Sequence, residues 1–151
     1  MPEPPSYQSD TCDDLLDLSR ANAQAVILGT ALFLEKSDIP LSAWVASLGE
    51  LFASSWDDSL ELSAGEFLDA VLTNFRSLGA EVLAADLDGD RATASITGFP
   101  KRELCRELGV SEGSAEPYLD IPIALALQQG IGWSWERDGP RITLIAERSE
   151  S

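Results

Sequence analysis

Histidine is absent from the 151 residues, cysteine occurs twice, and bases are scarce, ten Lys and Arg against 26 Asp and Glu. Without histidine there is no imidazole to hold a haem iron, and none to serve as the base for a cysteine nucleophile. Cys12 and Cys105 stand far apart and form no CxxC pair, so no disulfide framework is expected. The formal net charge of −16 repels nucleic-acid phosphates and anionic lipid. It suits a basic protein partner, and it suits simple solubility equally well. Long apolar runs are also lacking. The longest, near residues 25–34, is broken by Gly29 and Thr30 and falls short of the ~20 residues a membrane span needs. The start, Met1-Pro2-Glu3-Pro4-Pro5, is acidic and proline-rich rather than basic then apolar, so a cytoplasmic location is the expectation. No glycine-rich phosphate loop, serine elbow or zinc-type ligand set is present. No catalytic residue, metal ligand or cofactor is therefore assigned, and a non-enzyme is the expectation.

What is present is a chain that is 44% apolar and long enough to enclose a core as one domain. Residues 1–12 hold three prolines and read as a disordered tail; residues 13–148 read as a single α+β domain. Asp13 and Asp14 suit the positive end of a first helix over about 15–35. Its second half is apolar on nearly every side, as expected of a helix buried centrally or paired with another subunit. Ser37-Asp38-Ile39-Pro40 reads as the entry to a second helix. That helix carries Leu41, Trp44, Val45, Leu48, Leu51, Phe52 and Trp56 at helical spacing. Ser63 and Glu66 form a capping box for a third helix, with Phe67, Val71, Phe75 and Leu78 along one side and Gly79 at its close.

After Gly79 the period changes to two. Segments 81–87 and 91–99 flank Asp88-Gly89, which suits a tight hairpin turn. Ala92, Ala94 and Ile96 share one face, and Arg91, Thr93, Ser95 and Thr97 the wet one. A short helix over 101–108, a loop over 110–117 and an apolar helix over 121–129 follow. Segments 131–137 and 141–147 form a second hairpin about Asp138-Gly139, with Ile131, Trp133 and Trp135 on one face. The expected fold is three N-terminal helices packed on a four-stranded antiparallel sheet made of two hairpins joined by helices. The first helix and the 121–129 helix are expected to be the most deeply buried elements.

The segments 80–99, Tyr118 to Gly130, and 133–147 give this order a likeness. It resembles the 4-vinyl reductase domain family and the related TRAPP transport-complex subunits, over roughly half the chain. The resemblance implies helices on a small antiparallel sheet, and either binding of small apolar molecules or acyl chains or a role as a dimeric assembly module. The family's cysteine- or histidine-rich metal-binding members have no counterpart in these residues.

Several clusters invite chemistry. Asp86, Asp88 and Asp90 suggest a calcium loop, but its sixth and twelfth positions hold Arg91 and Thr97 rather than glycine and glutamate, and a hairpin turn explains the aspartates. Cys105 lies among Lys101, Arg102 and Arg106, which would lower a thiol pKa; Leu104 and Leu108 beside it point instead to a buried structural cysteine. Among 26 acids, spacing cannot single out a carboxylate pair. The four tryptophans, Trp44, Trp56, Trp133 and Trp135, suit either an apolar ligand site or a core or dimer surface. The leading expectation is a pocket for a small hydrophobic ligand walled by Val26, Phe33, Trp44, Leu48, Phe75, Leu125 and Trp133, with Arg102 or Arg106 orienting any charged group. The alternative is an acidic homodimeric interaction or assembly module with no small-molecule ligand.

Overall fold

The computed structural model describes residues 11–57 and 59–148. The expected tail falls mainly on residues outside that range. Thr11 and Cys12 do not belong to a tail. The Thr11 hydroxyl accepts from the Asp14 N–H and the Asp14 carboxylate accepts from the Thr11 N–H, so a capping box starts α1 (Cys12–Lys36) one turn earlier than expected. Helices α2 (Leu41–Ser55) and α3 (Ala64–Ser77) follow. The Ser37–Pro40 entry is not a side-chain cap: Asp38 takes the left-handed conformation (φ 57°) to reverse the chain, and Pro40 stands at the N-cap without a side-chain bond. The Ser63–Glu66 capping box of α3 is formed as expected.

Strands β1 (Glu81–Asp86), β2 (Arg91–Thr97), β3 (Ile131–Asp138) and β4 (Arg141–Arg148) form one antiparallel sheet in the order β1-β2-β4-β3. Ala94 lies opposite Leu144 and Ser95 opposite Thr143. The second hairpin thus docks beside the first through β4, leaving β1 and β3 at the edges. Between the hairpins run α4 (Arg102–Leu108), α5 (Glu112–Ala115), a 3-10 turn (Glu116–Asp120) and α6 (Pro122–Gln128). The segment expected as a loop therefore holds a short helix, capped by Ser111, and the start of a 3-10 turn. The fold is α+β, with three helices preceding the sheet. Among the described residues, no helix is long and apolar enough to cross a membrane.

The core lies between α3 and one face of the sheet. Phe67, Leu68, Val71, Leu72 and Phe75 project from α3 onto Ala92, Ala94 and Ile96 of β2 and Ile142, Leu144 and Ala146 of β4, and all are buried. The opposite sheet face carries Thr93, Ser95, Thr97 and Thr143; Ser95 and Thr143 meet hydroxyl to hydroxyl.

The first helix is not the deeply buried element its composition suggests. Gln24, Leu28 and Ala31 are its buried residues, while Val26 is 69% and Phe33 65% exposed. Leu28 joins Cys105, Val110 and Ala115 in a second, smaller core under α4 and α5. Gln24 fixes the helix in place. Its Nε2 donates to the carbonyls of Leu78 and Gly98, each at 2.8 Å, and its Oε1 accepts from the Lys101 N–H at 2.9 Å. One amide thereby links α1 to the end of α3, the end of β2 and the start of α4. The 121–129 helix is also only half buried: Pro122, Leu125 and Ala126 face inward, Ile123 and Leu127 outward.

Two substitutions test this frame. Gln24→Leu keeps the volume but strands one N–H and two carbonyls, and is expected to cost on the order of 2–4 kcal/mol in urea denaturation; a loss below about 1 kcal/mol would refute the linking role. Gly65 sits where a Cβ would lie 1.8 Å from the Leu87 carbonyl oxygen, so Gly65→Ala is expected to lose roughly 2 kcal/mol or more. Gly29, whose Cβ position is open, serves as the control: Gly29→Ala is expected to gain about 0.5–1 kcal/mol.

Candidate functional site

A groove of about 400 Å³, partly open to solvent, lies between the C-terminal ends of α2 and α3 and the start of α6; it is smaller than the furrows beside β1 (about 630 Å³) and beside Cys105 (about 490 Å³) but more enclosed and more apolar than either. It exists because α2 packs on α6 and the 3-10 turn, whereas α3 packs on the sheet. The two helices rest on different supports and leave space between their ends. Phe52, Ser55 and Trp56 border it from α2, Val71, Asn74, Phe75, Ser77 and Leu78 from α3, and Tyr118, Ile121, Pro122 and Leu125 form the remaining wall.

Aromatic rings brace the walls. Tyr118 packs on Phe99 at 5.4 Å between centroids and on Trp44 at 6.0 Å, and Phe99 on Phe75 at 5.5 Å. Trp56 rests on Phe67 at 6.1 Å, which in turn meets Trp133 edge-on. Such tilted and edge contacts are the arrangements ring quadrupoles favour, so the lining is set before a ligand arrives. The polar groups are few. The Ser55 and Ser77 hydroxyls donate back to the Phe52 and Asn74 carbonyls of their own helices. The Tyr118 hydroxyl and the Asn74 amide are left facing no protein partner among the described residues. Burial raises the Tyr118 pKa above its usual value, so the phenol is neutral at physiological pH and both donates and accepts.

Of the residues expected from the sequence to wall a pocket, Phe75 and Leu125 meet in this groove. Trp44 and Leu48 are half-buried behind it; Trp44 supports Tyr118 from the rear. Trp133 lies beneath Phe67 with its Nε1 donating to the Leu119 carbonyl at 2.9 Å, and Trp135 donates to the Asp120 carboxylate at 2.8 Å. Both indoles anchor the 3-10 turn to β3, and neither lines the groove. Val26 and Phe33 are out in solvent and wall nothing. The reason is geometric: an apolar helix shows the same residue types whether a given side meets a core or water, and Gln24, Leu28 and Ala31 happen to hold the inward side.

Arg102 and Arg106 do not reach the groove either. They border a separate, more open depression with Cys105, Val110 and Glu112. Arg102 Nε donates to Glu112 at 2.8 Å, and Glu112 with Glu116 also holds Arg137, whose pKa the Glu116 hydrogen bond raises further. The Cys105 thiol is buried, and burial followed by the charge of Glu112 pushes its pKa up. It is therefore a protonated thiol at neutral pH, the reverse of an activated nucleophile. Among the described residues, no group of three acids or cysteines is placed to hold a metal ion. In the hairpin turn the Asp86 carboxylate accepts from the Asp88 N–H, and Gly89 takes positive φ.

Most of the groove, from Asn74 and Ser77 to Tyr118 and Ile121, carries no signal in the sequence. One signal was legible: Phe52 and Trp56 stand one helical turn apart at the end of an apolar stripe, a pattern that continues past the residues α2 buries against α6. No protein-family model matches the chain, and no curated protein matches it by sequence.

The two thiols give a direct test of the Cys105 environment. In the folded protein, Cys12, exposed, is expected to react with an aromatic disulfide reagent at pH 8 within seconds to minutes, and Cys105 only on unfolding, at least ~100-fold slower. Equal fast reaction of both thiols would overturn the buried, protonated assignment.

Proposed function

We propose that the protein is a non-enzymatic binding domain for a small hydrophobic ligand, held in the groove between the ends of α2 and α3 and the start of α6. The observation that carries this reading is the groove itself: about 400 Å³, lined by Phe52, Trp56, Phe75, Tyr118 and aliphatic side chains, with a free hydroxyl and amide at its wall. Apolar walls with a few placed polar groups are the usual composition of a small-molecule site. A ligand burying on the order of 200 Å² of apolar surface there would gain roughly 5 kcal/mol, which before association costs corresponds to a Kd of about 0.2 mM. The likeness to the 4-vinyl reductase domain family and TRAPP subunits is compatible with this reading and with the next, since such domains commonly bind small apolar molecules or acyl chains or act as dimeric assembly modules.

A second reading rests on a different surface. Leu15, Leu18, Val26 and Phe33 are exposed along α1, a helix of 25 residues and about 37 Å. These positions, with Asn22 and Gly29 between them, follow one side at spacings of three or four and carry no charge. On a chain of net charge −16, a second copy is best met across such an uncharged strip, where acidic surfaces do not oppose each other. In this reading the protein is a homodimeric assembly module, and a basic protein would associate elsewhere on the acidic surface.

Native mass spectrometry of the full chain, with a titration of the neutral fluorescent probe N-phenyl-1-naphthylamine, tests both. Saturable probe binding is expected, weakened at least about tenfold by Ser55→Trp and by Asn74→Trp, which fill the groove from exposed positions without touching the core. Absence of saturable binding, or binding indifferent to both fillings, rejects the ligand reading. A dimer that Val26→Asp with Phe33→Asp converts to monomer supports the second reading; a monomeric wild type rejects it.

A further inference from the structure

The groove is electrically one-sided, and this bears on what it takes. All ten Lys and Arg of the chain lie among the described residues, and none lines the groove. Arg20 and Arg76 border a different furrow, beside β1 on the other flank of α3. Arg102 and Arg137 are held by Glu112 and Glu116, and Arg148 is bonded to the Leu62 carbonyl. Any charge arriving in the groove therefore meets the field of a chain with an excess of 16 acids, with no base among the lining residues.

Two further features act in the same direction. Both α2 and α3 present their C-terminal turns to the groove, through Phe52, Ser55 and Trp56 and through Asn74, Phe75 and Ser77. The helix dipole places partial negative charge at such ends. The last turn of α2 contains no base, and the base in the last turn of α3, Arg76, faces the other furrow. The start of α6 also reaches the groove, but Pro122 has no N–H and the Ile121 N–H is bonded to the Tyr118 carbonyl, so neither donates into it. Four aromatic residues, Phe52, Trp56, Phe75 and Tyr118, lie in the lining, and aromatic rings stabilise a diffuse cation held beside them.

We propose that the groove selects aromatic or otherwise lipophilic cations, apolar bodies with a delocalised positive charge, over anions such as acyl carboxylates. This rests on the ligand-binding reading above and narrows it. A carboxylate would enter a negative field with no guanidinium or ammonium to meet it. A diffuse cation keeps the apolar burial, loses little hydration on entering, and gains from the helix ends, the rings and the net charge.

Tetraphenylphosphonium and tetraphenylborate have the same shape and opposite charge, so equilibrium dialysis of both against the full chain isolates the charge effect. At about 20 mM sodium chloride the phosphonium is expected to bind at least tenfold more tightly, and the gap to narrow in about 0.5 M, where screening shortens from ~20 Å to ~4 Å. Asn74→Lys, which places one base at the wall, is expected to shrink the ratio of phosphonium to borate affinity at least about threefold, a ratio that a change in steric fit leaves unmoved because the two ions share one shape. Equal or tighter binding of the borate at low salt overturns this inference, and the ligand-binding reading survives if the neutral probe still binds. Phosphonium binding that Ser55→Trp leaves intact also overturns it, because the cation is then held by the acidic surface and not the groove. Failure of all three probes to bind overturns the ligand reading itself.

Discussion

The descent of α3 onto a sheet face built partly of alanine is the contact on which the rest of the molecule depends. Ala92 and Ala94 of β2 and Ala146 of β4 leave room for Phe67, Leu68, Val71 and Phe75, while Ile96, Ile142 and Leu144 fill between them. Large side chains of α3 meet small ones of the sheet, the combination that close packing of an interior requires. The close approach extends to the backbone: the first turn of α3 touches the Leu87 carbonyl at Gly65, where no Cβ would fit. With α3 held this low, its C-terminal end is placed against Phe99, and Gln24 of α1 can bond the carbonyls of Leu78 and Gly98 together.

The groove follows from that placement. Trp133 and Trp135 tie the 3-10 turn to β3 through the Leu119 carbonyl and the Asp120 carboxylate, and α2 packs on that turn and α6. The end of α3 is positioned by the sheet and the end of α2 by the connection between the hairpins. The space between them is lined by side chains that neither support fully covers. Tyr118 belongs to both systems, packed on Trp44 of α2 and on Phe99 at the end of β2, which is why it stands at the wall with its hydroxyl free.

Charge separates the surfaces further. The bases present are grouped by local partners: Arg102 and Arg137 around Glu112, Arg91 across from Glu147, Arg20 near Asp17. These are mostly exposed pairs worth little to stability, but their positions decide where positive charge is found, and the groove is not among those places.

The local structure was legible in the sequence because it depends on near neighbours. Ser63 and Glu66 cap α3 across three residues, and Gly89 and Gly139 turn two hairpins at positive φ. The alternation of Ala92, Ala94 and Ile96 with polar residues marks a strand with one buried face. From these the α+β class and the element order follow. Burial was another matter. Val26 and Phe33 have the same character as Leu28 and Ala31, yet the first pair is exposed and the second buried. Leu51 and Phe52 continue the stripe that buries Val45, yet emerge at its end. The hydrophobic effect is non-directional and records only that a side chain prefers to leave water, not which distant surface will cover it. The sequence by itself determined the helices, strands, turns and caps, all fixed by contacts a few residues long. Which apolar side met a core, which met solvent, and which pair of helix ends enclosed a groove were decided only when segments some fifty to eighty residues apart packed together, as they do around Gln24, whose partners lie 54, 74 and 77 residues away.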